Sequence, residues 1–532
     1  MKRNGTISIA VIALVAAMAF PVGLAAQQYH HYELIDMGTY GGPQSYTGAS
    51  WGFDPFHVVN NLGVLTGFAD TSTLDPYGYP NGPNLCFDPA FNAAGTQLPC
   101  YTAQPFEWLA GFRIPLKGLS EGVSSSTNWI SSNGIIAGAS QNGETDQLLS
   151  APGAPVPIVH AVLWNNGHIK DLGTLPEGGY QSAAHSVNSS GQAVGWALNN
   201  TYDANSLALN TTFYDNWLPY APYQTRAFLW ENGRMKDLGD LGGGDAFAFA
   251  INEAGQVIGI AYTTSTPNQV SSPNPGPAFW CSYIDAPMPT QEPFLWEKGK
   301  GMISLGNLGG TCGWPIWINS FGQVVGASDL YGDQVTHAFL WTKGKPMKDL
   351  QNGSTLDGSF GNATMINDLG VVVGGAFKTG TTEEHAFLWD GTMHDLGAFS
   401  GFGYAFSINA SGQVVGNWGL APPQNGGFLS ENGGPIVDLK TLLSSNNSGL
   451  TLESALEIND LGEIVGIGLD AESYSHAILL VPCDANHTGM DGCDYSMVDA
   501  SAITTAAPAV QAPTTGNPTN PMWPSRRGRR MP

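Results

Sequence analysis

Apolar residues come in short runs of about five, set apart by turn residues, and one succession of runs and turns recurs along most of the chain. A clear copy opens with His160, Ala161, Val162, Leu163 and Trp164, followed by Asn165, Asn166 and Gly167. It continues through Lys170, Asp171, Leu172 and Gly173 to Gly178 and Gly179, and closes with Val187, Asn188, Gly191, Gln192 and Gly195. A second copy opens with Arg226 and Ala227, reaches Trp230, and closes with Ile251, Asn252, Gly255, Gln256 and Gly259. Each unit predicts four short strands: the His-Ala-Phe-Leu-Trp run, the Asp-Leu-Gly run, a run ending in Ile-Asn, and Gln-Val-Val-Gly. Side chains alternate along a strand, so His160, Val162 and Trp164 share one face while Ala161 and Leu163 share the other. Both faces are apolar, so each small sheet must be covered on both sides.

The closing turn recurs at Gly63, Gly134, Gly191, Gly255, Gly322, Gly370, Gly412 and Gly462, which makes eight units spaced by 42 to 71 residues. Repeats of this period mean a propeller, a solenoid or an array. In Asn-x-x-Gly the asparagine accepts local backbone hydrogen bonds and the glycine tolerates positive φ. Asn166-Gly167, Asn232-Gly233 and Asp390-Gly391 close the first hairpin in the same way. Loop lengths of three residues after Trp164, three after Trp230 and two after Trp389 predict Ala161 opposite Asp171, Ala227 opposite Asp237 and Ala386 opposite Asp395. The repeated His160, His337, His385 and His476, and Asp171, Asp237, Asp349, Asp395 and Asp438, predict packing and turn-acceptor roles, because a site is usually singular.

The fold class predicted is all-β, a closed β-propeller of about eight four-stranded blades in which each blade is sandwiched between two others. Another closed β-architecture and an open solenoid are the alternatives. The ends argue for closure: residues 32–39 begin with a second strand, and the missing opening strand stands at 475–480, where no further unit follows. That C-terminal strand is expected to join three N-terminal strands and remove two exposed edges.

The unit as a whole resembles the HAF-family extracellular repeat proteins of bacteria. The closest copies are residues 337–374 and 385–416, and the resemblance covers roughly residues 32–481. Unit two departs from it: Pro105, Phe106, Glu107 and Trp108 open it, Gly118, Leu119 and Ser120 replace Asp-Leu-Gly, and Ser131 replaces the turn asparagine. The resemblance implies secretion and repeats, and no established activity.

Residues 1–26 have the layout of a secretory signal peptide: Lys2 and Arg3, a 14-residue apolar run, then Gly23, Ala25 and Ala26. The run is short for a spanning helix and no later segment is long enough, so no membrane span is expected and the protein is expected to be secreted, extracellular or periplasmic. Residues 27–483 form the repeat region, 484–499 a Cys- and Asp-containing loop, and 500–532 an Ala/Pro/Thr-rich tail with a basic end that is expected to be disordered. Export permits disulfides, and sequence neighbours suggest Cys86 with Cys100, Cys281 with Cys312 and Cys483 with Cys493. With 43 acidic and 19 basic residues the formal charge is -24, which makes nucleic acid a poor partner.

Long linkers at 68–104, 139–159, 196–225 and 260–291 cluster in the first half of the expected ring, on the side away from the tight turns, and are read as joining successive units. They carry the candidate ligand-binding residues Tyr214, Trp217, Tyr220, Tyr223, Trp280 and Tyr283, which suit stacking on sugar rings or a protein contact. Asp484, Asn486, Asp491 and Asp494 do not match a calcium-loop spacing, and neither metal nor cofactor is expected. Residues 118–122 match a nucleophile-elbow pattern without its helix, so catalytic residues are not assigned. The leading expectation is a binding module for an extracellular glycan or protein. The alternatives are a structural or cell-surface protein, and a polysaccharide-active enzyme.

Overall fold

The computed structural model describes residues 28–47, 56–78, 98–150, 155–204, 206, 221–264, 289–419, 425–444, 448–499 and 503. These form an all-β protein. There are six four-stranded sheets, one eight-stranded sheet, and a ribbon of Gln28–His30 with Met497–Asp499. The eight-stranded sheet is two four-stranded sets joined by a single parallel pair, Gln291 with Cys312. No described helix is long and apolar enough to cross a membrane.

One sheet stands for all. Its order is Ser125–Ile130, Ile136–Thr145, Pro157–Asn165, His168–Gly173, each antiparallel to the next. The first strand is buried throughout and the last is largely exposed. A sheet therefore begins with the Ile-Asn strand and ends with the Asp-Leu-Gly strand, two strands out of phase with the sequence unit. This corrects the expectation for the linkers: they connect the two middle strands of one sheet and do not join successive units.

The termini meet as expected in outline and differently in detail. Tyr32–Asp36 is the outer strand of a sheet whose other members are Ser475–Pro482, Ile464–Leu469 and Thr451–Ile458. The shared sheet thus has three C-terminal strands and one N-terminal strand, the reverse of the expected split. Val465, Ala477 and Leu479 pack with Val58, Leu65 and Phe106. Ala477 N donates to Ser45 Oγ at 2.9 Å, the same bond that Ala161 N makes to Ser182 Oγ between consecutive sheets.

The hairpin register is also corrected, by one residue. Asp171 faces Val162, Asp237 faces Phe228 and Asp395 faces Phe387. The cause is turn length: Asn166-Gly167 is a two-residue turn with both φ positive, and three residues follow Trp389. A one-residue slip moves a side chain to the other face. It brings each Asp onto the face of the His, and His160, His337, His385 and His476 meet Asp171, Asp349, Asp395 and Asp36 at 2.8 to 3.1 Å. The same carboxylates accept the N–H two residues on at Gly173, Gly397 and Gly38.

The remaining repeat residues join sheets. Asn188 Nδ2 donates to Asn252 O, Asn252 to Asn319 O, Asn319 to Asn367 O, Asn367 to Asn409 O, Asn409 to Asn459 O, Asn459 to Asn60 O and Asn60 to Ser131 O, all at 3.0 to 3.2 Å. Ser131 cannot continue the series, and Asn133 Nδ2 reaches Ser189 O instead. Lys170, Lys236 and Lys348 each lie over the tryptophan of the following sheet, Trp230, Trp296 and Trp389.

Candidate functional site

The linker side is built from long hairpins. Leu65–Leu74, Ile136–Thr145 and Ala193–Tyr202 have ten residues each, against six in Val372–Phe377. They pair outward to Leu74 with Tyr101, Thr145 with Pro157 and Tyr202 with Tyr223. An aspartate sits at each base. Asp75 N donates to Cys100 O, its Oδ1 accepts from Tyr77 N, and its Oδ2 accepts from Ser124 Oγ of the next sheet. Asp146 repeats this with Val156 O, Leu148 N and Gln181 Nε2. Asp203 N donates to Pro222 O. The first two linkers therefore leave from hydrogen-bonded bases tied to the neighbouring sheet, and the third from a base bonded across its own hairpin. Sequence reasoning missed these aspartates; their signal was an Asp at the head of each of the first three linkers.

Of the candidate ligand-binding residues, Tyr223 lies on the described hairpin, half-buried opposite Tyr202, which is 69% exposed. Asn199 Nδ2 donates to Gln224 Oε1 at 3.1 Å beside them. Tyr214, Trp217, Tyr220, Trp280 and Tyr283 lie outside the described residues, as do Cys86 and Cys281. Cys100 and Cys312 are half-cystines, and Cys483 is bonded to Cys493 as expected.

The other end of the sheets carries a group that the sequence did not announce. Glu457 is buried; His57 Nδ1 meets its Oε1 in a very short contact, and Val58 N donates to Oε2 at 2.7 Å. Trp129 and Trp317 stack at 5.3 Å, and His57 lies 5.3 Å from the first and 6.0 Å from the second. Burial would lower the His57 pKa, but Glu457 outweighs it and the imidazole is raised above its ordinary value. The pair can hold or pass a proton, and it links residues 57 and 58 to the strand Thr451–Ile458. The available signal was an acid before Ile458-Asn459, where other units carry Val58, Ser186, Ala250 or Ser407.

Buried acids set the pH response. Burial pushes Asp329 up to about 7 against the opposing Thr336 hydroxyl bond, and pushes Glu384, whose Oε1 has no hydrogen-bond partner, up to about 8. His476 is raised by its bond to Asp36. Burial lowers His185 to about 4. A raised carboxyl holds its proton in the folded state after the unfolded chain has released it, so its contribution is lost as pH rises to the raised value. The raised histidines contribute fully below about 6.5 and lose that contribution as pH rises further. His185 acts oppositely, its contribution falling away as pH drops from about 6.5 toward 4. The two raised carboxyls outweigh His185 from about pH 4.5 upward, so the expected result is maximal stability below about pH 5 and a progressive loss of several kcal/mol by about pH 8.5. Urea midpoints across that range test it, and Glu384→Gln should flatten the alkaline limb.

No family model matches the chain, and no curated protein matches it. Among solved structures it is similar to the β-propeller domain of the Trilobed protease from Pyrococcus furiosus, at 10% identity and a TM-score of 0.39, over 74% of this chain and 98% of that one. It is also similar to XC5397 from Xanthomonas campestris, a gluconolactonase, at 12% identity and a TM-score of 0.25, over 48% of this chain and 78% of that one. Neither superposition is close enough to transfer fold or function.

Proposed function

We propose that this chain is a secreted eight-bladed β-propeller of the HAF-repeat type that binds an extracellular glycan or protein through its linker-bearing side. The closed ring is supported by the shared terminal sheet and by the succession of asparagine bonds that returns from Asn459 to Asn60. The binding role is carried by one observation. The repeated His, Asp and Asn side chains are engaged within and between sheets, while the Asp-anchored hairpin end presents Tyr202 and Tyr223 at a long variable segment. Aromatic rings on fixed hairpins offer stacking surface at low ordering cost.

A glycan and secreted-protein panel tests this reading. Trp217→Ala and Tyr202→Ala are expected to weaken the captured ligand by about threefold to tenfold, the worth of one aromatic contact, with an unchanged melting temperature. Asp395→Ala should do the reverse, lowering stability by about 1 kcal/mol and leaving affinity intact. Loss of affinity only in repeat-core variants would refute the assignment.

A further inference from the structure

Equivalent clefts lie between consecutive sheets at the tight-turn end, each bounded by the residues that follow two tryptophans. In two of them a lysine of the later sheet bridges a glutamate of the earlier one: Lys298 to Glu231 at 2.8 Å, and Lys343 to Glu297. The cleft one step earlier has Asn232 at the lysine position and Asn165 at the glutamate position. Asparagine is too short and uncharged to make this bridge. That cleft stands open, with a volume of about 660 Å³ lined by Asn165, Asn232, Lys170, His168, Gln192 and Trp230 among others. This lies within the range of roughly 300–1,000 Å³ typical of small-ligand sites.

Its chemistry differs from the rest of an acidic chain. Lys170 and His168 are exposed, and no carboxylate pairs with either among the described residues. Lys170 Nζ lies 4.5 Å from the centre of the Trp230 ring. The one acid of the cleft, Glu231, is already neutralised by Lys298 and accepts from Gln192 Nε2. The site therefore offers a lysine ammonium without a carboxylate partner beside side-chain amides, with Glu253 held on Ser189 at its rim. Amides serve the hydroxyls of a sugar ring, and a lysine serves a carboxylate.

We propose that the cleft between the sheet of residues 125–173 and the sheet of residues 182–237 binds an acidic oligosaccharide of the uronic-acid type. Lys170 takes the carboxylate, and Asn165 and Asn232 take ring hydroxyls. The site is independent of the linker side, because the strand Pro157–Asn165 has the linker at one end and this cleft at the other. A negative result here leaves the linker-side assignment standing.

The test is calorimetric titration of the whole secreted protein with tetragalacturonate, and with cellotetraose as the neutral counterpart. Saturable binding of the acidic tetramer is expected, at least tenfold tighter than the neutral one and weakening with added salt. The double variant N165E/N232K rebuilds the bridge seen in the neighbouring clefts and should abolish binding while keeping the wild-type melting temperature. Should that variant fold poorly, Lys170→Gln, a single exposed substitution, should weaken the acidic tetramer about tenfold and leave the neutral one unchanged. Absence of saturable binding, equal affinity for both tetramers, or binding that survives both variants would overturn the proposal.

Discussion

Removing residues 475–499 should leave a chain without cooperative unfolding, whereas removing residues 504–532 should leave the urea midpoint unchanged. The longer deletion takes away the strand that pairs with both Tyr32–Asp36 and Ile464–Leu469. It also takes Ala477, Ile478, Leu479, Leu480 and Val481, all buried. At about 2 kcal/mol for each larger side chain the loss approaches 10 kcal/mol, against a typical total of roughly 5–15. Two strand edges would be left open, and the expected product aggregates. Circular dichroism and urea titration of both truncations distinguish the outcomes, and identical transitions would count against a shared terminal sheet.

Gly416→Ala should cost about 3 kcal/mol or more, a larger effect than most single methyl additions. The added Cβ would stand 2.0 Å from Tyr404 O and 2.7 Å from Ala405 Cα. The reason lies in the bulge between Ala405 and Ser407, which brings the buried strand against the glycine. The same closeness recurs at Gly138, Gly195, Gly259, Gly326, Gly374 and Gly466, at 1.9 to 2.1 Å from a backbone carbonyl. Gly412→Ala is the matched control. Its φ is +84° with open space around it, so only backbone strain applies, about 1 kcal/mol. Thermal and urea unfolding of the two variants should rank them in that order.

These glycines show where the sequence was informative and where it was not. Strand number and strand type were legible, because the apolar runs and Asn-x-x-Gly turns repeat with little variation. The glycine that ends Gln-Val-Val-Gly was visible too, but its purpose was not, since a bulge depends on the partner strand. The hairpin register failed by one residue because Asn166-Gly167 can close a two-residue or a three-residue loop, and only pairing decides. The division into sheets failed for a similar reason. A repeat has no intrinsic start, and the unit was opened at His-Ala-Phe-Leu-Trp while the sheet begins at the Ile-Asn strand. His57 and Glu457 are 400 residues apart, and no local pattern joins them. Of the candidate site, Tyr223 was placed beside Tyr202, but the hairpin base residues Asp75, Asp146 and Asp203 emerged only from the hydrogen bonds.

The proposed ring stands or falls on the joining of its two ends, and amide hydrogen exchange measures that directly. Amides of Tyr32–Asp36 and Ser475–Pro482 should exchange as slowly as those of Val324–Leu330 in mid-chain, since all three would open only with the whole structure. Fast exchange of the two terminal strands, with Val324–Leu330 still protected, would contradict closure.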